Sequence, residues 1–226
     1  KKFLNNNKYI VGNHIVTHQS GQLSYFKGHY STSAEYVFED RSNEKTPNVL
    51  VYGNYKNDMA IASTLAGKAI EGLSSDHSFI AATGDLCYIS AGTNKATNPS
   101  PVPGNDAGFR DIFEAASALS GGTKLIVFSR GNAECRGFYA TELIKYIPTV
   151  TGEFYYAFNY GDQTFINLDT AEDRRDYDST CGGRLKTDAL YLRQDAWLDS
   201  VLNSEDLQES ITVLSHAPLY NMDIVR

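Results

Sequence analysis

The sequence predicts a layered α/β domain, on three observations. Four short apolar runs, each the length of a buried strand, stop at a small residue followed by a polar, chemically capable one: Val49-Leu50-Val51-Tyr52 before Gly53-Asn54, Phe79-Ile80-Ala81-Ala82 ahead of Gly84-Asp85, Leu125-Ile126-Val127-Phe128 ahead of Gly131-Asn132, and Ile211-Thr212-Val213-Leu214 before Ser215-His216. Stretches of helical period separate most of them. With 226 residues, 42% of them hydrophobic, the chain is long enough to bury a sizeable core.

Taken in order, residues 1–46 form a β-rich N-terminal segment in which Tyr25, Phe26, Tyr30, Tyr36 and Phe38 sit among Ser, Thr and Gly without helical period. That suits one or two hairpins, or the tail of an accessory β domain. Pro47 closes the segment, and residues 47–226 read as the main domain. After the strand at 49–52, the apolar face of Met59, Ile61, Ala62, Leu65 and Ile70 predicts a helix over 58–71. The strand at 79–82 leads into a loop rich in Gly, Asn and Pro up to Gly108, then a helix over 109–119. A strand at 124–128 precedes a helix near 140–146. Tyr155-Tyr156-Ala157-Phe158 and Thr164-Phe165-Ile166-Asn167-Leu168 flank Tyr160-Gly161-Asp162, the pattern of a β-hairpin. A helix over 188–203, carrying Trp197, Leu198 and Leu202, comes before the last strand at 211–214.

Composition removes several function classes. The formal charge of -7 and pI near 5.2 set an acidic surface that repels phosphate backbones, so nucleic acid is not an expected partner. Mean hydropathy is -0.35 and no apolar run approaches ~18 residues, so no membrane-spanning helix is expected. Cys87, Cys135 and Cys181 allow at most one internal disulfide and lack zinc-finger spacing. No signal-peptide pattern opens the chain at Lys1-Lys2-Phe3-Leu4. The absence of an initial Met, and an end at Arg226 directly after an apolar stretch, read as a trimmed product of something longer.

In a layered α/β domain the carboxyl ends of the strands share one edge, where ligands bind. Asn54, Asp85, Asn132 and His216 would therefore meet there. Each alone is as readily an ordinary turn or core residue; the four together form a candidate site. Their local motifs carry a resemblance. Gly84-Asp85-Leu86-Cys87-Tyr88 resembles the Gly-Asp-x-x-Tyr motif of purple acid phosphatases, within the calcineurin-like metallophosphoesterase superfamily. Gly131-Asn132-Ala133-Glu134 resembles their Gly-Asn-His-Glu motif, and Ser215-His216-Ala217-Pro218-Leu219-Tyr220 their Gly-His-Arg-Pro-Met-Tyr segment. Gly53-Asn54 sits where that family has Gly-Asp. Arg136-Gly137, Leu168-Asp169-Thr170 and Gln194-Asp195-Ala196-Trp197-Leu198 are similar to bacterial-type members.

The resemblance implies a metallophosphoesterase-type sandwich of two mixed β-sheets flanked by helices. It also implies a binuclear metal centre, Fe with Zn, Mn or Fe, that hydrolyses phosphate esters by metal-activated water. Carried over, Asp85 bridges both metals, Tyr88 and the position of Asn54 serve the trivalent ion, and Asn132 and His216 serve the divalent one. Glu134 supports its neighbours beside the metals. Arg130 and Arg136 flank the third motif as candidates for holding a substrate phosphate, against simple pairing at the surface. The catalytic candidates are Glu134 and Arg136. Secretion or a vesicular location is implied by the resemblance alone.

The departures from that pattern fall on chemistry. Asn54 replaces a carboxylate ligand by a neutral amide. Ala133 replaces the imidazole that assists the leaving group, help worth ~10²–10⁴-fold in rate. A Gly-His-x-His motif after the His216 segment, which supplies one ligand to each metal, does not occur up to Arg226. The expectation is at most one weakly held divalent cation and impaired or absent hydrolysis. Three accounts stay open: a pseudophosphatase serving as a binding or structural module, a fragment whose missing segment comes from a following stretch or a second chain, and an engineered inactive form.

Overall fold

In a computed structural model, which describes residues 44–53, 77–86, 125–135, 138–141, 143–145, 147, 149–170 and 185–219, the first three strands form one parallel sheet. Its order is β1 (Val49–Tyr52), β2 (Phe79–Ala82), β3 (Ile126–Phe128), with Leu50 opposite Ile80 and Ile80 opposite Ile126. Lying between two neighbours, β2 is buried at all four positions. This is why it reads as an unbroken apolar run rather than an alternating one.

The second sheet is mixed. β4 (Tyr156–Tyr160) and β5 (Gln163–Asn167) make the predicted antiparallel hairpin, with Tyr160 paired to Gln163 across Gly161-Asp162. Gly161 takes φ +59°, the backbone that a two-residue hairpin needs at its first central position. A side chain on it would also run into the carbonyl of Lys45, 2.8 Å away, so the turn rests against the residues before β1. β6 (Ser210–Leu214) adds to β5 in parallel, with Phe165 opposite Thr212. The described strands thus give two three-stranded sheets, the first wholly parallel rather than mixed.

The two sheets share a core. Phe79 and Ala81 of β2 and Val127 of β3 cluster with Tyr160, Phe165 and Leu214 of the second sheet. The Phe79 ring meets those of Phe158, Tyr160 and Phe165 at centroid distances of 5.7, 5.4 and 5.1 Å. Burying a side chain of this size contributes ~1.5–3 kcal/mol, and each well-oriented ring pair adds ~0.5–1.5 kcal/mol. Ile80 points the other way, to Leu50, Tyr52 and Ile126.

Among the described residues two α-helices are present, α1 (Asn132–Cys135) and α2 (Thr187–Leu202). The helix predicted near 140–146 is instead two 3₁₀ turns, Phe138–Thr141 and Leu143–Lys145. Two buried residues, Ala140 and Leu143, lie three apart, the spacing that a threefold helix stacks on one face. The predicted helices at 58–71 and 109–119, and the N-terminal segment up to residue 43, lie outside the described residues.

Tyr156 joins the sheets through one hydroxyl. It donates to the Phe128 carbonyl at 2.9 Å and accepts from the Phe128 N–H at 3.0 Å. Burial pushes its phenol above the ordinary value of about 10, against a smaller downward pull from the Phe128 bond. Tyr52 is raised as well, by burial first and by the Glu134 carboxylate second. Because the unfolded chain releases these protons first, stability is full below the ordinary tyrosine pKa and falls as pH rises past it. The slope is up to ~1.4 kcal/mol per pH unit for each such tyrosine. Urea unfolding on either side of about pH 10 should show that decline, and Tyr156→Phe should flatten it while lowering neutral-pH stability by ~1–3 kcal/mol.

Candidate functional site

Glycine lets the strand ends approach one another. Gly84 has φ +86°, and a side chain there would strike the Arg130 carbonyl carbon and Gly131 Cα, each at 2.6 Å. A side chain on Gly131 would meet Glu134 Oε2 at 2.8 Å and the backbone of Asp85. The loops after β2 and β3 therefore touch backbone to backbone, which any larger residue forbids. Asp85 follows at φ +53°, and it is the one non-glycine with positive φ among the described residues. That conformation is tolerated by Asp and Asn better than by other side chains, and it persists only where neighbours enforce it.

Glu134 enforces it. Although buried at 1% exposure, its carboxylate accepts N–H bonds from Asp85 at 2.8 Å, Leu86 at 2.7 Å and Gly131 at 2.7 Å. These are charge-assisted bonds to backbone donors on both loops. In return, the Ala133 N–H donates to Asp85 Oδ1 at 2.9 Å. The Asp85 side chain is thereby aimed across the strand ends.

His216 reaches the same place from β6. Its Nδ1 lies 2.8 Å from the Thr83 carbonyl, which can only accept, so Nδ1 carries the proton. In the neutral ring Nε2 then keeps its lone pair, and it faces Asp85 Oδ1 at 3.8 Å. That gap is too long for a hydrogen bond. A carboxylate oxygen and an imidazole nitrogen held so, the ring fixed by a backbone carbonyl behind it, form a donor pair suited to a divalent cation such as Zn or Mn. Asn132, half-buried at the start of α1 one residue before Ala133, is the third expected ligand on this edge. Among the described residues no group of three or more His, Cys, Asp or Glu gathers as a metal site.

Asn54, Tyr88 and Arg136 lie outside the described residues. Arg130 does not pair at the surface, and its guanidinium is taken up by a carboxylate instead. At 3% exposure it forms a buried, two-point ion pair with Asp169 and lies over the Phe154 ring, 4.6 Å from its centroid. Burial is the largest influence and opposes its charge, but the Asp169 carboxylate, by charge and hydrogen bond, together with Cys135 and Glu153 holds the guanidinium above its ordinary pKa.

Sequence reasoning passed over the contacts that hold the edge together. The Thr83 carbonyl is backbone and leaves no trace in residue identity. Ser129 Oγ donates to Asn167 Oδ1, and Asn167 Nδ2 donates to the Phe154 carbonyl at 2.7 Å. The one signal available was the polar residues Asn167, Asp169 and Thr170 following the apolar pair Phe165-Ile166. No protein-family model matches the chain, and no curated protein does.

Proposed function

We propose that this chain is a metallophosphoesterase-like scaffold, its two sheets packed as that family's sandwich, which binds a single divalent cation and hydrolyses phosphate esters feebly or not at all. The observation that carries this reading is the pairing of Asp85 Oδ1 with His216 Nε2 across 3.8 Å, with His216 Nδ1 committed to the Thr83 carbonyl. The strained backbone of Asp85 supports it, since such conformations gather at functional sites. Asp85, His216 and Asn132 would hold the ion. A cation there would polarise a phosphoryl oxygen and acidify a water.

What the chain's own residues do sets the limit. Asp85 gives one oxygen to the Ala133 N–H, so the residue standing where the resemblance expects an imidazole contributes only backbone. Glu134 is engaged by three backbone donors. Its position favours holding the loops over moving a proton. Of the implied second site, only Asp85 falls among the described residues.

Elemental mass spectrometry on protein purified without chelators tests the reading. The expected result is about one equivalent of divalent metal per chain, lost in both Asp85→Asn and His216→Ala. Asn is chosen at position 85 because it tolerates the left-handed backbone. Near-zero metal in the parent chain would end the cation reading. Two equivalents with brisk hydrolysis of p-nitrophenyl phosphate would overturn the impaired one.

A further inference from the structure

Just beyond β5, two polar side chains are shut away from water and outside the set of candidate ligands: Asp169 at 1% exposure and Thr170 at 2%. Each holds a different loop of the candidate site. The Asp169 carboxylate grips Arg130, two residues before Asn132. Thr170 Oγ1 accepts from the Ala217 N–H at 3.0 Å, one residue after His216.

The segment is anchored from behind. Gln194 of α2 accepts from the Asp169 N–H at 2.7 Å, and its amide donates to the Asp169 carbonyl at 3.5 Å. Direct contact between Asp85 and His216 does not set their separation, because 3.8 Å is beyond hydrogen-bond reach. The separation is set instead by where the loops after β2, β3 and β6 are held. The first two are locked together by Glu134 and the glycine contact. The third is held to them by the Thr83 carbonyl at one point and by Thr170 at another.

We propose that Asp169 and Thr170 are positioning residues for the cation site, setting the gap between Asp85 and His216 through Arg130 on one side and Ala217 on the other. This rests on the cation reading above. Neither residue touches the ion; each acts through the loop it holds.

Co²⁺ titration of the full chain tests it, read by visible absorption for geometry and by affinity, with thermal unfolding followed in parallel. Thr170→Val keeps the shape and removes the acceptor; Thr170→Ser keeps the acceptor. Thr170→Val should weaken Co²⁺ binding ~10–100-fold and alter the absorption bands while unfolding stays cooperative, the scale known for partners that orient metal ligands. Thr170→Ser should bring both affinity and spectrum back to those of the parent. A purely structural role predicts a lowered melting temperature with affinity and spectrum unchanged, and that result overturns the proposal. Gln194→Met loosens the same segment from the helix side and gives the same readouts if Thr170→Val does not fold. A parent chain that binds no Co²⁺ sinks the cation reading and this proposal with it; a binding parent with indifferent variants sinks the positioning role alone.

Discussion

Glu134→Ala is expected to destabilise the protein by at least ~3 kcal/mol, because three buried backbone N–H groups lose their acceptor at ~1–3 kcal/mol each. The donors are those of Asp85, Leu86 and Gly131, on two different loops, and no other described side chain is bonded to them. Against a typical total stability of ~5–15 kcal/mol, a loss of that size leaves a marginal fold. Glu134→Gln keeps one acceptor oxygen but turns an amide N–H toward backbone donors, so it should recover only part of the loss. Chemical denaturation of the three proteins checks this. A change in Glu134→Ala below ~0.5 kcal/mol, the range of an ordinary surface substitution, would show that the carboxylate does not hold the loops.

Asp169→Asn is expected to cost ~3–5 kcal/mol, since removing one partner of a buried ion pair strands the other charge without compensation. Arg130 is itself 3% exposed and cannot turn to solvent. Phe154 beneath the guanidinium offers a favourable ring face but no counter-charge. Replacing both members by apolar residues, Arg130→Met with Asp169→Leu, should restore most of the stability, as exchange of buried ion pairs often does. Urea unfolding of the single and double variants separates the outcomes. A single variant as stable as the parent would mean that the pair is not buried in solution. This large single-variant effect is also why Thr170, rather than Asp169, is the better probe of positioning.

How much was legible beforehand differs by element. β1, β2, β5 and β6 were readable because each is a contiguous run of apolar and β-branched residues closed by a breaker, and the hairpin because Gly161-Asp162 separates two such runs. The two short turns at Phe138–Thr141 and Leu143–Lys145 were misread as one helix, since a threefold and a 3.6-fold period hardly differ over so few residues. α2 was placed to within a residue at each end, although its buried side includes Gln194, a polar residue that no hydrophobic period would select.

The candidate site divides in the same way. Residue types at strand ends were enough to name Asp85, Asn132 and His216 as candidates, because Gly-Asp, Gly-Asn and Ser-His follow apolar runs there, whereas Glu134 was named through the motif resemblance alone. Sequence alone also establishes that position 54 is Asn and position 133 is Ala, where the resemblance expects a carboxylate and an imidazole. Only the tertiary structure decided that Arg130 turns inward to Asp169, that Glu134 serves two loops, and that His216 leaves Nε2 toward Asp85. Two of those outcomes depend on partners 39 and 133 positions away in the chain, Arg130 with Asp169 and His216 with the Thr83 carbonyl. Local sequence sets which groups are present; which of them lose water, and to whom they are then bonded, is settled when the sheets close on each other.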